Sequence, residues 1–376
     1  MIKGLSLFAN VGVAETYLKD VGVDIVLANE LLPDRARFYK HLYPNCQMIC
    51  GDVTKSEVSD VIVDAALRNN VEFVIATPPC QGMSKAGLKD KDDARNFLIT
   101  YAIDIIKRVN PKYVLIENVA QQLKTTVLYQ GEKVLIPDMV SAELGNDYYI
   151  NKNHILNTEK FGVPQKRTRA LFLLVRKDVG RNWEIPILNE KIVTLRSGDL
   201  PSLDPPIKEL GMTEKIFPDY EEKRQKGLAV SKWHYARPHV WRNVECMMHT
   251  PPGCSARKNP IFYPKNKEGK LVGGSIQAYT RMEWDQPAPT VTTYNHTISS
   301  FRNVHPGYWD EKTELCSDPR VLTIFELMRV TTLPDDWDIP DWASELLIRQ
   351  VIGEGIPPLA IKKVVAELNL MEQKDD

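Results

Sequence analysis

The sequence predicts an α/β fold, in which a doubly wound sheet occupies the first part of the chain and a loop-rich domain follows it. Over the first 175 residues, short apolar runs alternate with amphipathic stretches, which is the pattern of strands that alternate with helices on both faces of a sheet. From about residue 178 to residue 284, prolines are frequent and no sustained periodicity appears. A length of 376 residues is sufficient for two domains, and the 43% hydrophobic content provides a substantial core.

The predicted strands are short and apolar, with β-branched residues at many positions. They cover residues 4–8, 25–28, 73–76, 113–117 and 170–176. Amphipathic helices are predicted between the strands and near the end of the chain, over residues 14–21, 56–69, 96–109 and 359–368. Asn110 and Pro111 stop the third of these helices, and a turn that contains glycine and proline precedes the fourth.

Composition excludes several classes of protein. The N-terminus lacks the apolar core of a signal peptide and no apolar run is long enough to span a membrane, so we expect a cytoplasmic protein. Six cysteines in a chain of this length do not indicate a disulfide framework, and a reducing compartment leaves thiols free. The formal net charge is −1, so nucleic-acid binding would require a local basic face.

Residues 221–270 are a candidate for that face. Basic residues far outnumber acidic ones there, and aromatic residues lie among them. The pattern fits a nucleic-acid interface and a solvated surface over core aromatics equally well. Cys246, His249 and Cys254 lie in the same stretch but lack a fourth ligand and paired short loops, so we predict no metal site.

The ends of the first strands carry groups that suit a nucleotide-like ligand. The first strand ends in the small-residue turn 8–12, Glu30 ends the second strand, and Asp52 follows a further candidate strand. Backbone N–H groups of such a turn can meet the acidic end of a ligand, while a carboxylate about 20 positions later can accept ribose hydroxyls. The glycine pattern differs from the dinucleotide fingerprint, which disfavours an NAD enzyme.

One thiol stands directly after a buried strand. Pro78 and Pro79 end the strand 73–76 and restrict the backbone, so that Cys80 would be presented in one orientation at the carboxyl edge of the sheet. A cysteine in this position can act as a nucleophile. Taken by itself, however, such a cysteine is more often buried and inert.

Two later segments bring charge to the same edge. The strand that begins at Tyr113 ends in Glu117, a carboxylate that would reach the edge where Cys80 lies. Arg167 and Arg169, two positions apart, would point the same way if their segment is extended. Two guanidinium groups suit a phosphate or an electron-rich base edge, although salt bridging is the common alternative.

Four segments, in this order, resemble the cytosine-C5 methyltransferase family: the turn 8–12, the segment with Cys80, the strand that ends in Glu117, and the segment with Arg167 and Arg169. The resemblance covers nearly the whole chain outside the loop-rich stretch. Residues 279–282 with 286–290 resemble the motif just after the family's target-recognition region, residues 318–323 with 333–337 the next motif, and residues 352–358 the closing cofactor motif. The resemblance implies a Rossmann-like S-adenosylmethionine-dependent methyltransferase sheet with a smaller loop-rich target-recognition domain. The expected division is residues 1–188 plus 340–376 for the catalytic domain and 189–339 for the recognition domain.

The chain departs from the family pattern at two positions. The first motif usually carries glycine where this chain has Asn10, and asparagine can take the left-handed conformation that glycine would take. The closing motif usually carries asparagine where this chain has Glu354, which puts that residue's contact with the cofactor in doubt.

The resemblance also implies a mechanism and its residues. Cys80 would add to C6 of a flipped-out cytosine, Glu117 would hydrogen-bond the N3 edge, and Arg167 and Arg169 would supply positive charge and hold the base oxygen. The residues implied for binding S-adenosylmethionine are Phe8, Asn10, Val11, Gly12, Glu30, Asp52, Val53, Pro79, Leu98, Glu354 and Ile356. Those implied for binding DNA are Gln81, Ser84, Gln165, Tyr279, Arg281 and Thr290.

The expected function is therefore sequence-specific methylation of double-stranded DNA, with S-adenosylhomocysteine as product, no metal, and protection against a cognate restriction endonuclease. We expect a monomer for which the endonuclease is a functional rather than a physical partner. Two alternatives remain: a tRNA cytosine-C5 methyltransferase on the same scaffold, and a catalytically silent DNA-binding protein that keeps the fold.

Overall fold

The structure is a computed structural model that describes residues 1–79, 97–188, 190–197 and 199–371. The strands are β1 (Ile2–Leu7), β2 (Val23–Glu30), β3 (Gln47–Cys50), β4 (Phe73–Ala76), β5 (Tyr113–Val119), β6 (Thr126–Tyr129), β7 (Glu132–Leu135), β8 (Tyr148–Ile150), β9 (Ile155–Asn157), β10 (Thr168–Arg176), β11 (Trp309–Asp310) and β12 (Leu315–Cys316). The helices are α1 (Pro33–Leu42), α2 (Ser56–Arg68), α3 (Leu98–Val109), α4 (Ile136–Leu144), α5 (Thr213–Ile216), α6 (Tyr220–Val230), α7 (Trp241–Met248), α8 (Ile324–Val330), α9 (Glu345–Glu354) and α10 (Pro358–Ala366).

The central sheet has eight strands in the order β3-β2-β1-β4-β5-β10-β8, and β9 pairs with β10. The first five strands of this order are parallel, while β10 runs antiparallel to β5. The strand order reverses between β1 and β4, and ligands of open α/β sheets bind at the carboxyl ends of strands beside such a switch point. The predicted α/β sheet is confirmed.

Both faces of the sheet are covered, because alternate residues of each strand point to opposite sides. In β4, Val74 and Ala76 belong to a core shared with α2 and α3, while Phe73 and Ile75 belong to a core shared with α10. Full burial on both faces explains why β4 is a continuous apolar run.

The predicted helix at 14–21 is wrong. Successive turns close instead through bonds such as Glu15 N to Gly12 O and Leu18 N to Glu15 O, and they end in the short 3₁₀ segment Lys19–Val21. Gly12 and Gly22 flank the segment at φ of 82° and 90°, so the chain turns at both ends before a longer helix can form. Helix α9, which was not predicted, begins where Ser344 Oγ accepts a hydrogen bond from Leu347 N.

A further core joins the first turn to the last third of the chain. Val11 and Val13 pack in one cluster with Val291, Leu322 and Ile352. Part of the region assigned to the recognition domain thus packs directly on the turn after β1. The division at residues 188 and 339 remains a prediction.

A buried glutamate behind that turn provides a test of the fold. Glu15 accepts a hydrogen bond from Ser6 Oγ, and burial raises its pKa from 4.5 to about 7, although the Ser6 bond opposes the shift. Its folded pKa lies above its unfolded pKa, so its contribution to stability is present below pH 4.5 and is lost as the pH rises through about 7. Urea unfolding measures the free energy of unfolding at pH 5 and at pH 8, and in the wild type this free energy should be lower at pH 8 because of Glu15. In Glu15→Gln we expect the difference between the two pH values to be smaller by up to about 3 kcal/mol.

Glu132→Gln is the matched control, because Glu132 is an exposed glutamate of β7. This control should leave the difference between the two pH values unchanged. An equal drop in wild type and Glu15→Gln would show that Glu15 does not hold a proton in the folded state.

Candidate active site

The candidate site lies at the carboxyl ends of β1, β2, β4 and β5, beside the switch point of the sheet. The turn after β1 contains three left-handed residues, Phe8, Asn10 and Gly12, at φ of 57°, 50° and 82°. Asn10 thus takes the conformation that the sequence analysis allowed for it. A Cβ on Gly12 would lie 2.3 Å from the Tyr43 ring, so the backbone approaches α1 too closely for any side chain at that position.

Glu30 ties the ends of the first two strands together. Its side chain is 6% exposed, and its two oxygens accept hydrogen bonds from the backbone N–H groups of Asn10 and Leu32, each at 2.9 Å. Asp52 follows β3 and accepts from the N–H and hydroxyl of Thr54, at 3.0 and 2.8 Å, which fixes its carboxylate beyond the strand end. Val53 is buried in the core beside it.

The chain that leaves β4 is held from two sides. Thr77 Oγ1 donates to Phe8 O at 3.0 Å, and Asn118 Nδ2 donates to Pro78 O at 3.1 Å. These contacts anchor the backbone up to Pro79, the last described residue before Cys80. Cys80, Gln81 and Ser84 lie outside the described residues, and Leu98 is the first residue of α3.

Glu117 and Arg169 form a buried ion pair on adjacent strands. Arg169 Nε lies 2.8 Å from Glu117 Oε1, and each side chain is 11% exposed. In the antiparallel register, Glu117 faces Leu171, so Arg169 lies diagonally across from it. Desolvation by burial raises the pKa of Glu117, while the positive charges of Arg169 and Arg167 pull it in the opposite direction. A neutral, proton-carrying glutamate is therefore easier to form here than in water.

Arg167 binds backbone carbonyls from distant parts of the chain. Its Nη1 donates to Val291 O at 2.8 Å, and its Nη2 donates to Gly353 O and Glu354 O, both at 2.9 Å. With its side chain buried, Arg167 joins β10 to two later segments. The two arginines thus have different partners: Arg169 binds the Glu117 carboxylate, whereas Arg167 binds backbone carbonyls and adds positive charge near Glu117. Their expected role at the base oxygen remains a prediction.

The end of α9 and the turn that follows it pack between these segments. A Cβ on Gly353 would lie 2.4 Å from Thr292 O, and one on Gly355 would lie 2.6 Å from Val13 Cγ1. Both glycines therefore allow close backbone approach. Ile356 is buried next to them, and Glu354 forms an ion pair with Arg35.

Three of the predicted DNA-binding residues are buried in the protein. Gln165 is 1% exposed and bonds to the backbone of Val330 and Val291. Arg281 is 0% exposed and donates to four backbone carbonyls, among them Met247 O. Tyr279 packs in an interior cluster. All three side chains lie in the protein interior here, and their part in DNA binding remains a prediction.

Thr290, whose contact with DNA remains a prediction, links two segments of the protein. Its side chain is half-buried, and its hydroxyl donates to Lys166 O at 2.7 Å. This bond aligns the segment that contains Val291 with the segment before β10.

Many of the basic side chains in residues 221–270 are already paired within the protein and are less available for DNA. Carboxylates pair with six of its cations: Lys223, Arg224, Lys226, Lys232, Arg237 and Lys270. Two of its aromatic rings also pack against neighbours, Phe262 on His249 with ring centroids 3.5 Å apart and Tyr263 beneath Lys265. The whole stretch therefore does not form one basic face, and the candidates for DNA contact are fewer.

Within the described ranges, no group of three or more histidine, cysteine, aspartate or glutamate side chains could hold a metal ion. The helices of the same ranges include none that is long and apolar enough to cross a membrane.

Two residues of the site were not predicted from the sequence. Asn118 holds Pro78, and its place directly after Glu117 at the end of an apolar strand was a usable signal. Arg35 binds Glu354 across 319 positions of sequence, and no local pattern announces that contact.

Comparisons with known proteins find relatives over nearly the whole chain. The profile of the family described as C-5 cytosine-specific DNA methylase matches residues 2–369. The Type II methyltransferase M1.HgaI of Avibacterium volantium is 43% identical over 98% of this chain and 98% of its own length. The Type II methyltransferase M.DdeI of Desulfomicrobium norvegicum is 26% identical over 97% of this chain and 88% of its own.

Two solved structures share the fold. A protein encoded within an E. coli prophage superimposes with a TM-score of 0.69 at 19% identity, covering 99% of this chain and 100% of that one. The methyltransferase EhMeth of Entamoeba histolytica gives a TM-score of 0.61 at 15% identity, covering 100% and 99%. From the family match over almost its whole length, together with the relative at 43% identity, this chain belongs to the C-5 cytosine-specific DNA methylase family.

Proposed function

We propose that the chain methylates C5 of a flipped-out cytosine in double-stranded DNA through a covalent bond from Cys80 to C6. The observation that carries the proposal is the buried Glu117–Arg169 pair at the end of β5, next to the strand that leads into Cys80. A carboxylate with a raised pKa, a guanidinium beside it and a thiol that follows the neighbouring strand in the sequence form the set of groups that this chemistry needs.

The reaction follows from the electronics of cytosine. C5 is a poor nucleophile, so the Cys80 thiolate adds to C6 while Glu117 provides a proton to N3, and electron density moves to C5. After methyl transfer, a base removes the C5 proton, the C6–S bond breaks to release the Cys80 thiolate, and N3 returns its proton to Glu117, which restores the aromatic ring. Arg169 keeps Glu117 oriented and places positive charge near the base oxygen. A base inside a duplex must be flipped out to reach these groups.

The residues around the first turn fit S-adenosylmethionine. Glu30 accepts one backbone N–H at each oxygen, which leaves lone pairs for ribose hydroxyls, and Asp52 is fixed at the next strand end for the adenine amino group. When bound, this cofactor supplies an electrophilic methyl group on a sulfonium. The side chains proposed as apolar walls are Phe8, Val11, Val53, Pro79, Leu98 and Ile356.

DNA reading is proposed to centre on a hairpin of residues 255–280. Antiparallel bridges join Ser255 to Thr280 and Lys265 to Leu271, and Asn266 N donates to Lys270 O at 2.8 Å across the tip. Exposed Ile261, Leu271 and Ile276 add apolar surface that can contact bases. Of the four exposed lysines of this hairpin, Lys270 pairs with Glu268. Within the described part of the chain, no carboxylate pairs with the other three, Lys258, Lys265 and Lys267.

Neutralising two of these lysines tests the hairpin. Each phosphate contact adds about 0.9 to the slope of log affinity against log salt, so Lys265→Gln with Lys267→Gln should make that slope shallower by about 2. Fluorescence anisotropy with a labelled duplex at several salt concentrations measures the slope.

Lys226→Gln is the matched control, since Lys226 already pairs with Glu222 on α6. This variant should keep the wild-type slope. A double variant with the wild-type slope would remove the hairpin from the DNA interface.

In the cell, we propose a cytoplasmic monomer that protects host DNA from a restriction endonuclease encoded elsewhere. Bisulfite sequencing of DNA from a host that expresses the chain reports both the methylated base and its sequence context. Duplex DNA and tRNA assayed side by side test the substrate class, and the DNA family match favours DNA over tRNA. Methylation of tRNA alone would overturn the proposal.

A further inference from the structure

The two positions at which the chain departs from its family pattern contact each other directly. Asn10 Nδ2 donates to Glu354 Oε2 at 2.9 Å, across 344 positions of sequence. Arg35 completes the cluster, with Nη2 at 2.9 Å from Glu354 Oε1 and Nη1 at 2.7 Å from Oε2. A two-pronged guanidinium contact of this kind fixes the carboxylate and neutralises its charge.

The cluster determines which way the Asn10 amide points. A carboxylate paired with arginine only accepts hydrogen bonds, so the NH₂ group of Asn10 must face Glu354 and its Oδ1 must face away. Asn10 Oδ1 is buried and has no hydrogen-bond partner among the described residues. A buried acceptor without a donor costs about 1–3 kcal/mol, which indicates that a donor occupies this position when the site is filled.

The backbone around Asn10 is held firmly enough to maintain that direction. Its N–H donates to Glu30 at 2.9 Å. Gly355, which follows α9, packs against Val13, which lies three residues after Asn10. Arg167 holds the carbonyl of Glu354 at 2.9 Å. Asn10 is thus fixed through its main chain by β2 and through its side chain by α1 and α9.

We infer that Asn10 Oδ1 accepts a hydrogen bond from the α-ammonium group of the bound cofactor, and that Glu354 and Arg35 are positioning residues that orient it. This inference rests on the proposed function, and it assigns the turn at Asn10 to the amino-acid end of S-adenosylmethionine, whose carboxylate the backbone N–H groups of such a turn can meet. The ammonium is the hydrogen-bond donor at that end. A glycine at position 10 offers no side-chain acceptor, so this contact is specific to the asparagine of this chain.

The contact between Asn10 Oδ1 and the α-ammonium group can be tested by measuring the binding of two ligands by calorimetry, which does not depend on enzyme activity. One ligand is S-adenosylhomocysteine, and the other is its analogue in which hydrogen replaces the α-amino group. The measured quantity is the ratio of the two Kd values, analogue over parent. Asn10→Gly keeps the left-handed turn but deletes the acceptor. This ratio should therefore fall at least about tenfold from its wild-type value, because a hydrogen bond to a charged group is among the stronger ones.

Two further variants test the orienting cluster. Glu354→Asn and Arg35→Met leave Asn10 in place but remove its anchor, so they should lower the same ratio by an intermediate amount. Asn70→Gly is the matched control, because Asn70 is also a left-handed asparagine, at φ of 53°, in an exposed turn after α2. Its ratio should equal that of the wild type.

An unchanged ratio in Asn10→Gly would overturn the inference. If that variant does not fold, an unchanged ratio in both Glu354→Asn and Arg35→Met has the same meaning. Failure of the wild type to bind S-adenosylhomocysteine would instead overturn the proposed cofactor, so the two failures are distinguishable.

Discussion

Methyl transfer by the Cys80→Ser variant is expected to fall by about 10³-fold or more, while its affinity for duplex DNA stays close to that of the wild type. An alcohol is ionised far less than a thiol at neutral pH and is a weaker nucleophile, so the bond to C6 does not form at a useful rate. DNA affinity is carried by contacts with phosphates and bases, which this substitution leaves in place. Transfer of a radioactive methyl group and fluorescence anisotropy measure the two properties on the same protein.

Cys254→Ser is the matched control, because Cys254 is an exposed, free cysteine in the loop-rich region. That variant should retain wild-type transfer. Near-normal activity of Cys80→Ser would remove Cys80 from the reaction, and an equal loss in both variants would indicate general damage from the loss of a thiol.

Glu117→Gln is expected to lower kcat by about 10²–10⁴-fold with little change in the Kd for cofactor or DNA. Glutamine fills the same space beside Arg169 but cannot deliver a proton to N3 of the base. Single-turnover methyl transfer under saturating DNA and cofactor separates this effect from binding. A loss confined to DNA affinity would contradict proton donation and reduce Glu117 to a binding contact.

The pH profile provides a second readout for Glu117. Burial raises its pKa and Arg169 opposes that shift, so removal of the arginine should raise the pKa further. Activity that depends on the protonated carboxyl group is lost as the pH rises through this pKa. The falling limb of the rate profile should therefore move to higher pH in Arg169→Met and disappear in Glu117→Gln.

Local patterns in the sequence predicted the elements that form the site. The β-branched run before Pro78 coincides with β4, and the run ending at Glu117 with most of β5. Parallel neighbours end at one edge of a sheet, so the grouping of Phe8, Glu30 and Glu117 could be expected from strand ends alone. The left-handed turn at Asn10 was likewise predictable, because few side chains tolerate that conformation.

Contacts between distant segments could not be predicted. The bonds of Arg167 to Gly353 and of Asn10 to Glu354 join residues 186 and 344 positions apart. The sequence indicates only that such side chains are polar, not which carbonyl or carboxylate they meet. Arg281 and Tyr279 illustrate the same limit in the loop-rich region, where the absence of periodicity gave no sign that both side chains are buried.

The central claim, a covalent bond from Cys80 to a flipped cytosine in DNA, is tested most directly with a duplex that carries 5-fluorocytosine at the methylated position. Fluorine at C5 cannot leave as a proton does, so the reaction should stop with the protein attached to the DNA. With S-adenosylmethionine present, we predict a denaturation-resistant complex whose cross-linked peptide, identified by mass spectrometry, contains modified Cys80. A wild-type protein that methylates the ordinary duplex but forms no such complex, or forms it through another residue, would contradict the account.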